Sequence, residues 1–559
     1  MYGCHVNSFV WRSVFIWFGV TLLLLSACQA APETVAPPPV ANSPTVFVSA
    51  TSLPTARPGE TRAVSSTSTP TRTPSPTVRA RGGAVTVAGV GAPKSEVTAL
   101  PEFVANALYD SLLEINPRDG SLLPGLAERW FVSDDAKTVV FILREDVRWH
   151  DGALLTADDV AFTLKTLSDA KTRLTPAADF GTLQDIRADN ARTVTVTFSE
   201  PYCAALTYLG AVKILPKHVL ENQTLANLAP SQLIGTGPLK LKTWQADALT
   251  FQANDAYWKG APWLADWTYR VYPNARAAND AVRQGQADVV ASSVALADAQ
   301  TAAFADNSFY ALAFNNRRAP FDDARVRQAF TAALDRAALA GAHGARLETS
   351  LLPTFWANPG NLALPQFDAA RAKKLLADAG WRDTDGDGIA DKDGQALSMT
   401  LWFQSDDPIA EETAQRVRAQ WQAIGAQAIL KAAERTLFLT RVFLQEFDTA
   451  LVHFNIPLDP DQSYFWTAAE DAPGQGLNVT GYRNETVERA MAAGNAAAQC
   501  QPNARQQAYA PVWQALTADV PMAFLFAPAR ILNTRRVQGG APSSFSGAFG
   551  DLEKWSAAP

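Results

Sequence analysis

Between Ser398 and Phe454 the chain alternates β-rich and helical runs in the order β-α-β-α-β, and this order restricts the fold more than any other feature. The strands read as Ser398–Phe403, Ala428–Lys431 and Thr449–Phe454, with helices Ala410–Ile424 and Leu437–Phe447 between them. In the first of these helices Val417, Trp421 and Ile424 fall at i, i+4 and i+7, and Gly425 stands where a C′ glycine belongs. Consecutive strands joined by helical crossovers make a parallel sheet, so the expected class is α/β. The rest agrees. Gly83–Val90, Thr138–Leu143, Val194–Phe198, Asp266–Tyr272 and Phe309–Phe314 read as strands. Thr156–Leu167, capped by Thr156 or Asp158, reads as a helix, as does Ala275–Gln284. A further helix opens at Asp322-Asp323, with Val326, Phe330, Ala333, Leu334 and Ala337 along one face.

Open parallel sheets receive ligands beyond the carboxyl ends of their strands. That rule points to Asn315 and Asn316, to Gln404 and Ser405, and to the stretch from Asn455 through Asp459 to Asp461. Trp402, His453 and Trp466 flank the same region and complete the set of candidate ligand contacts. Taken singly each is also an ordinary loop or core residue; five other tryptophans (Trp130, Trp149, Trp258, Trp263 and Trp421) read as core.

A chain of 559 residues exceeds what one hydrophobic core serves, so at least two lobes are expected. Not all of it reads as folded. Arg12 precedes an apolar run, Val14–Leu25, shorter than the about 20 residues a membrane-spanning helix needs. The run has the length of a signal-peptide core, and it ends in Leu25-Ser26-Ala27-Cys28, which resembles a bacterial lipobox with Cys28 as the lipidated residue. Residues 1–28 are therefore an expected lipoprotein signal peptide. In residues 29–82, 27 of 54 positions are Pro, Ser or Thr, too few large apolar side chains to offset the entropy of ordering. This is an expected disordered linker, reaching on the order of 40 Å as a coil.

The formal charge of the chain is -7. Removing the +1 of Arg12 and the +3 of the linker leaves about -11 on residues 83–559. That surface does not suit nucleic acid, whose phosphates require a basic partner. The remaining histidines, His150, His218, His343 and His453, have no metal-ligand spacing, and no phosphate-binding glycine loop or nucleophile elbow is present. No catalytic group, metal or cofactor is expected.

Further segments carry a resemblance: ALYDSLL (107–113), LPGLAERW (123–130), VRWHDG (147–152), LTADDVAFTL (155–164), IGTGPLKL (234–241), NDAYWKGAPWL (254–264), FNNRRAPFDDARVRQAF (314–330) and FDAARAKKLLADAGW (367–381). Taken in order, this set resembles the family 5 extracellular solute-binding proteins of ABC importers, the oligopeptide-, dipeptide- and nickel-binding group. The resemblance implies a two-lobed periplasmic-binding-protein-like fold (type II, cluster C) with a hinge. Lobe I would be 83–308 with 521–559, including the family's extra subdomain, and lobe II 309–520, the crossings falling near Ser308–Phe309 and Val520–Ala523. It implies a monomer, anchored outside the cytoplasm, that encloses a peptide-like solute or an oligosaccharide and delivers it to a permease driven by an ATPase. An orphan ligand sensor acting through a membrane receptor, and a secreted hydrolase, are the alternatives.

One departure concerns the solute. Peptide-binding members carry an aspartate for the ligand's ammonium in the loop after the Thr449–Phe454 strand. Here the corresponding positions are Asn455 and Ile456, and Asp459 is the nearest acid. Two further features stay open at this level. Asp383, Asp385, Asp387 and Asp391 alternate as in a calcium loop or a polar turn, with Gly394 where a calcium loop has glutamate. With Cys4 removed and Cys28 lipidated, Cys203 and Cys500 are either a disulfide or two free thiols.

Overall fold

The structure, a computed structural model, describes residues 81–558 apart from 92, 170–181 and 342. Cys28, the signal peptide and the linker up to residue 80 lie outside the described residues. The elements that organise the fold are, in chain order, β1 (Ala84–Val90), α1 (Glu102–Leu108), β2 (Asp266–Tyr272), β3 (Val289–Ser292), β4 (Ser308–Phe314), β5 (Ser398–Gln404), α2 (Pro408–Gln422), β6 (Gln427–Ala433), α3 (Arg435–Phe443), β7 (Thr449–Asn455), α4 (Pro502–Asp519) and β8 (Met522–Thr534). They build one twelve-stranded sheet, ordered β6-β5-β7-β4-β8-β3-β1-β2 and continued by Ala248–Ala253 and Leu239–Trp244, with Gln300–Ala305 and Gly344–Arg346 each paired to β8 off this path.

The expected β-α-β-α-β unit is present: β5 pairs in parallel with both β6 and β7. Its helix starts two residues ahead of the expected Ala410 and ends at Gln422. Asp407 caps α2 by accepting from the Ile409 and Ala410 amides, Pro408 occupies the first turn, and Gly425 takes φ 84° just beyond the helix. Trp421 on its buried face lies 4.8 Å from the ring of Phe330 and donates its indole N–H to the Phe330 carbonyl at 3.0 Å. A large side chain so enclosed costs about 3–5 kcal/mol to truncate. Strand β4, by contrast, runs antiparallel to both of its neighbours, β7 and β8.

Buried apolar side chains gather into separate cores. The largest runs from Phe309 to Ala527 and takes in Phe545. A second spans Val85–Val289 and Leu532–Trp555. A third, from Leu112 to Ile214, sits under a four-stranded antiparallel sheet and also includes Ala497 and Cys500. Its helix Ala157–Ser168 opens with a capping box between Thr156 and Asp159. The chain runs twice, side by side, between the first two cores. Gln300–Ala305 pairs with the second half of β8, and β4 pairs with its first half. Between them the Asp306 amide donates to the Pro528 carbonyl at 2.7 Å.

Cys203 and Cys500, left open by the sequence, form a disulfide with Cα atoms 5.2 Å apart. The two residues are buried within the third core, the Cys203 amide donating to the Asn495 carbonyl at 3.0 Å.

Candidate functional site

Because β5, β6 and β7 are parallel, their carboxyl ends share one edge of the sheet, and antiparallel β4 brings its amino end there: Ser308 is in register with Asn455. Gln404, Ser405, His453 and Asn455 therefore lie together as expected, with Ser405, His453 and Asn455 exposed. The same geometry removes Asn315. It follows the carboxyl end of β4, at the opposite edge, because local sequence pattern does not encode strand direction. Asn315 is buried, donates from Nδ2 to the Gln445 and Phe447 carbonyls at 2.9 Å each, and accepts from the Arg317 amide at 3.1 Å. Its side chain closes a loop.

At the shared edge the imidazole of His453 stacks on Tyr310, ring centroids 4.2 Å apart and 12° from parallel. Its Nε2 lies 3.0 Å from Ser308 Oγ, which in turn donates to Asp306 at 3.0 Å. Tyr310 donates its hydroxyl to Asp407 at 2.7 Å; burial, and then that carboxylate, push the phenol above its ordinary range, so it stays a donor. Asp407 is the cap of α2, so one carboxylate fixes both the helix start and the aromatic ledge. Arg530 extends this polar line across the crossing, 2.8 Å from Glu102 on α1 and 4.0 Å from Asp306. Half-buried Trp402 carries the Arg441 guanidinium 5.4 Å from its ring centroid. Tyr310, Ser308, Asp306 and Asp407 are absent from the sequence-derived set. Tyr310 is the register partner of His453, a relation that exists only once β4 is antiparallel to β7.

Two other expected contacts lie in the interior. Trp466 has no exposed surface and donates its indole N–H to Gln462 at 3.1 Å. Asp459 is fully buried and receives both Arg505 Nη atoms at 2.6 and 2.8 Å, the Thr207 hydroxyl at 2.8 Å and the Asp461 amide at 2.9 Å. All of its acceptor capacity is directed inward, joining α4 to the helix that carries Thr207.

The aspartate loop is a hydrogen-bonded turn, a geometry common to both readings. Oxygens of Asp383, Asp385 and Asp391 converge within 4.8 Å. Those of Asp383 and Asp391 already accept from the turn, Asp383 from Gly386 and Gly388 amides and Asp391 from Thr384. None of the eight expected ligand residues lines the cavity of about 610 Å3 that opens beside α1.

The sequence pattern described as bacterial extracellular solute-binding proteins, family 5 Middle, matches residues 121–476. Oligopeptide-binding protein AppA of Bacillus subtilis (strain 168) is 29% identical over 451 residues, covering 76% of this chain and 81% of its own length. The nickel-binding periplasmic protein of Escherichia coli (strain K12) is 28% identical over 362 residues, 61% of this chain and 68% of its own. The solved structure of Bacillus subtilis AppA in complex with a nonapeptide superposes with a TM-score of 0.67 at 25% identity, covering 86% of this chain and all of that one.

Proposed function

This chain belongs to the family 5 bacterial extracellular solute-binding proteins, non-enzymatic components of ABC transport, and from that premise we propose that it encloses a solute between two lobes and delivers it to a membrane permease. Lobe I is 83–308 with 521–559, and lobe II is 309–520. Separate cores on either side of the paired crossing strands support two lobes, although residues 522–527 and Phe545 pack with the core of lobe II, and Ala497 and Cys500 with a core of lobe I. The crossing at Asp306 and Pro528 is the hinge about which solute shifts the population toward the closed state, through contacts available only there. Cys28 carries the lipid that holds the protein to the outer face of the membrane, with residues 29–82 as tether.

The observation that carries the reading is the exposed His453 ring at the sheet edge, stacked on buried Tyr310, backed by Asp407 and Ser308 and bordered by Gln404, Ser405 and Asn455. A fixed aromatic face with short polar groups around it suits a peptide-like solute or an oligosaccharide. Asn455 is uncharged, Asp459 is spent on Arg505, and buried Asp461 is spent on Ser463 and Asn495, so an ammonium terminus finds no dedicated carboxylate in this loop. A charge-assisted hydrogen bond of about 1.5–3 kcal/mol is then missing, and the end of the solute recognised here is neutral. AppA and the dipeptide-binding protein of Escherichia coli, by their names, take peptides, which favours a peptide-like solute with a blocked or modified terminus.

Native mass spectrometry of protein purified without refolding identifies what is bound, and a thermal-shift panel of peptides, end-blocked peptides and oligosaccharides ranks the classes. Tight binding of a peptide with a free amino terminus, lost on blocking that terminus, would overturn the neutral-end assignment.

A further inference from the structure

The cavity of about 610 Å3 is walled by the end of α1, the residues that follow it, the segments at Lys213 and Tyr257–Lys259, and the C-terminal turn 541–554. Most polar groups on this wall are satisfied. Asp110 receives the Tyr257 hydroxyl at 2.9 Å, the Thr236 hydroxyl at 2.8 Å and the Trp258 indole at 3.0 Å. Lys259 is ion-paired with Glu114. Three groups on the same wall are not. The Tyr109 hydroxyl, on a residue 1% exposed, and Oε1 of Glu553, on a residue 7% exposed, have no hydrogen-bond partner. The Lys213 ammonium has no hydrogen-bond or ion-pair partner among the described residues.

Buried polar groups in folded proteins are almost always paired, so two buried orphans beside a half-buried ammonium with no anion in contact call for a partner that enters the cavity. Their chemistry specifies that partner. A cation whose nearby carboxylates, Asp110 and Glu114, do not touch it has room for a further carboxylate, and a carboxylate oxygen without a donor asks for an ammonium. Leu113, Ile115 and Phe549 supply apolar wall between them. We propose that this cavity is a second ligand site, separate from the His453 edge, that takes a free amino acid with an apolar side chain, its carboxylate on Lys213 and its ammonium on Glu553, with the Tyr109 hydroxyl as an additional hydrogen-bonding group. Burial pushes the Lys213 amine down, against the nearby Asp110 and Glu114 carboxylates, and the Glu553 carboxyl up, against the Lys259 ammonium. Every group that holds the amino acid lies on the lobe I side of the crossing strands, so occupancy does not require closure. Glu553 sits on the C-terminal turn whose Phe549 carbonyl accepts from Asn106 of α1 at 3.3 Å, so a ligand ties that turn more firmly to α1.

The test uses L-leucine as probe, with 4-methylpentanoate and isoamylamine as analogues lacking its amine and its carboxylate. Isothermal titration of the full chain is expected to give one L-leucine per protein, with each analogue weaker by about tenfold or more. Lys213→Met and Glu553→Gln are each expected to weaken L-leucine by a similar factor. Because either substitution can also disturb folding, a second measurement uses the unsubstituted protein: acetylation of Lys213, followed by peptide mapping, slows when L-leucine is present. Absence of L-leucine binding at millimolar concentrations overturns the proposal. So does binding that leaves Lys213 labelling unchanged, or that both variants retain in full.

Discussion

Asp459→Ala tests whether this carboxylate holds the fold or meets the solute. The wild-type side chain is completely buried, its partner Arg505 is 5% exposed, and the pair is bidentate at 2.6 and 2.8 Å. Alanine removes the counter-charge and leaves the guanidinium with the Tyr509 hydroxyl at 3.2 Å and the Gly494 carbonyl at 3.3 Å. Arginine does not escape by losing its proton, so it remains a buried charge without compensation. Breaking such a pair from one side costs about 3–5 kcal/mol. For a cooperative unit of roughly 200 residues each kcal/mol lowers Tm by about 2–4 °C, so a fall of roughly 6–20 °C is expected for the unliganded protein. Differential scanning calorimetry of the full chain reads this directly. Replacing Arg505 by Met in the same chain removes the orphaned charge and is expected to recover part of the loss, because the two residues act as a unit. Were Asp459 a solute contact, the result would invert: Tm without solute unchanged, and the solute-induced shift abolished. A Tm within about 2 °C of wild type refutes the structural assignment.

Further expectations follow from the same geometry. His453→Ala removes the ring stacked on Tyr310 and is expected to weaken solute about tenfold while leaving Tm without solute nearly unchanged; equal loss in both would make the stack structural. Cys203→Ser with Cys500→Ser opens a loop of 297 residues' separation, for which chain entropy gives about 5–6 kcal/mol as an upper figure and measured removals about 2–5, so reduced and oxidised protein should melt apart in urea. Burial holds the His150 ring at about 4, against about 6.5 unfolded. Above pH 6.5 both states are neutral and the site adds no pH dependence. As pH falls from about 6.5 to about 4 the unfolded chain takes the proton first and up to roughly 3 kcal/mol of stability is lost, which urea melts across that range should show and His150→Gln should flatten. Cys28→Ser is expected to move the protein from the membrane fraction to the soluble one; a variant that stays bound with lipid attached excludes Cys28 as the anchor.

The parallel unit was legible because its signals are local. Each strand is a short apolar run, the first helix has a single apolar face, and Gly425 punctuates α2 within the sequence itself. The direction of β4 was not, since it depends on where the chain has come from rather than on the seven residues involved. That one unknown sent Asn315 to the wrong edge and hid Tyr310 from view. Asp459 looked available because an acid beside a cleft strand shows its charge but not its partner, and Arg505 lies 46 residues further along. The disulfide joins positions 297 apart, and pairing at that range has no local trace. The cavity beside α1 takes its walls from several distant segments, none of which is unusual alone.

Strand β8 lies in the middle of the twelve-stranded sheet, yet it is the last long element of the chain. One end of it completes the pairing of β4 and the other that of β3. The half that holds β4 therefore lacks its pairing strand until residues 522–526 have been made, and the half that holds β3 until residues 531–534 have. Until then the edges of β4 and β3 stay open, and the contacts that close them are among the most distant in the sequence, which makes closure slow. A polypeptide delayed in this way remains threadable while it is being made. A truncation near residue 520 removes the central strand rather than a tail, leaving two half-sheets with nothing between them.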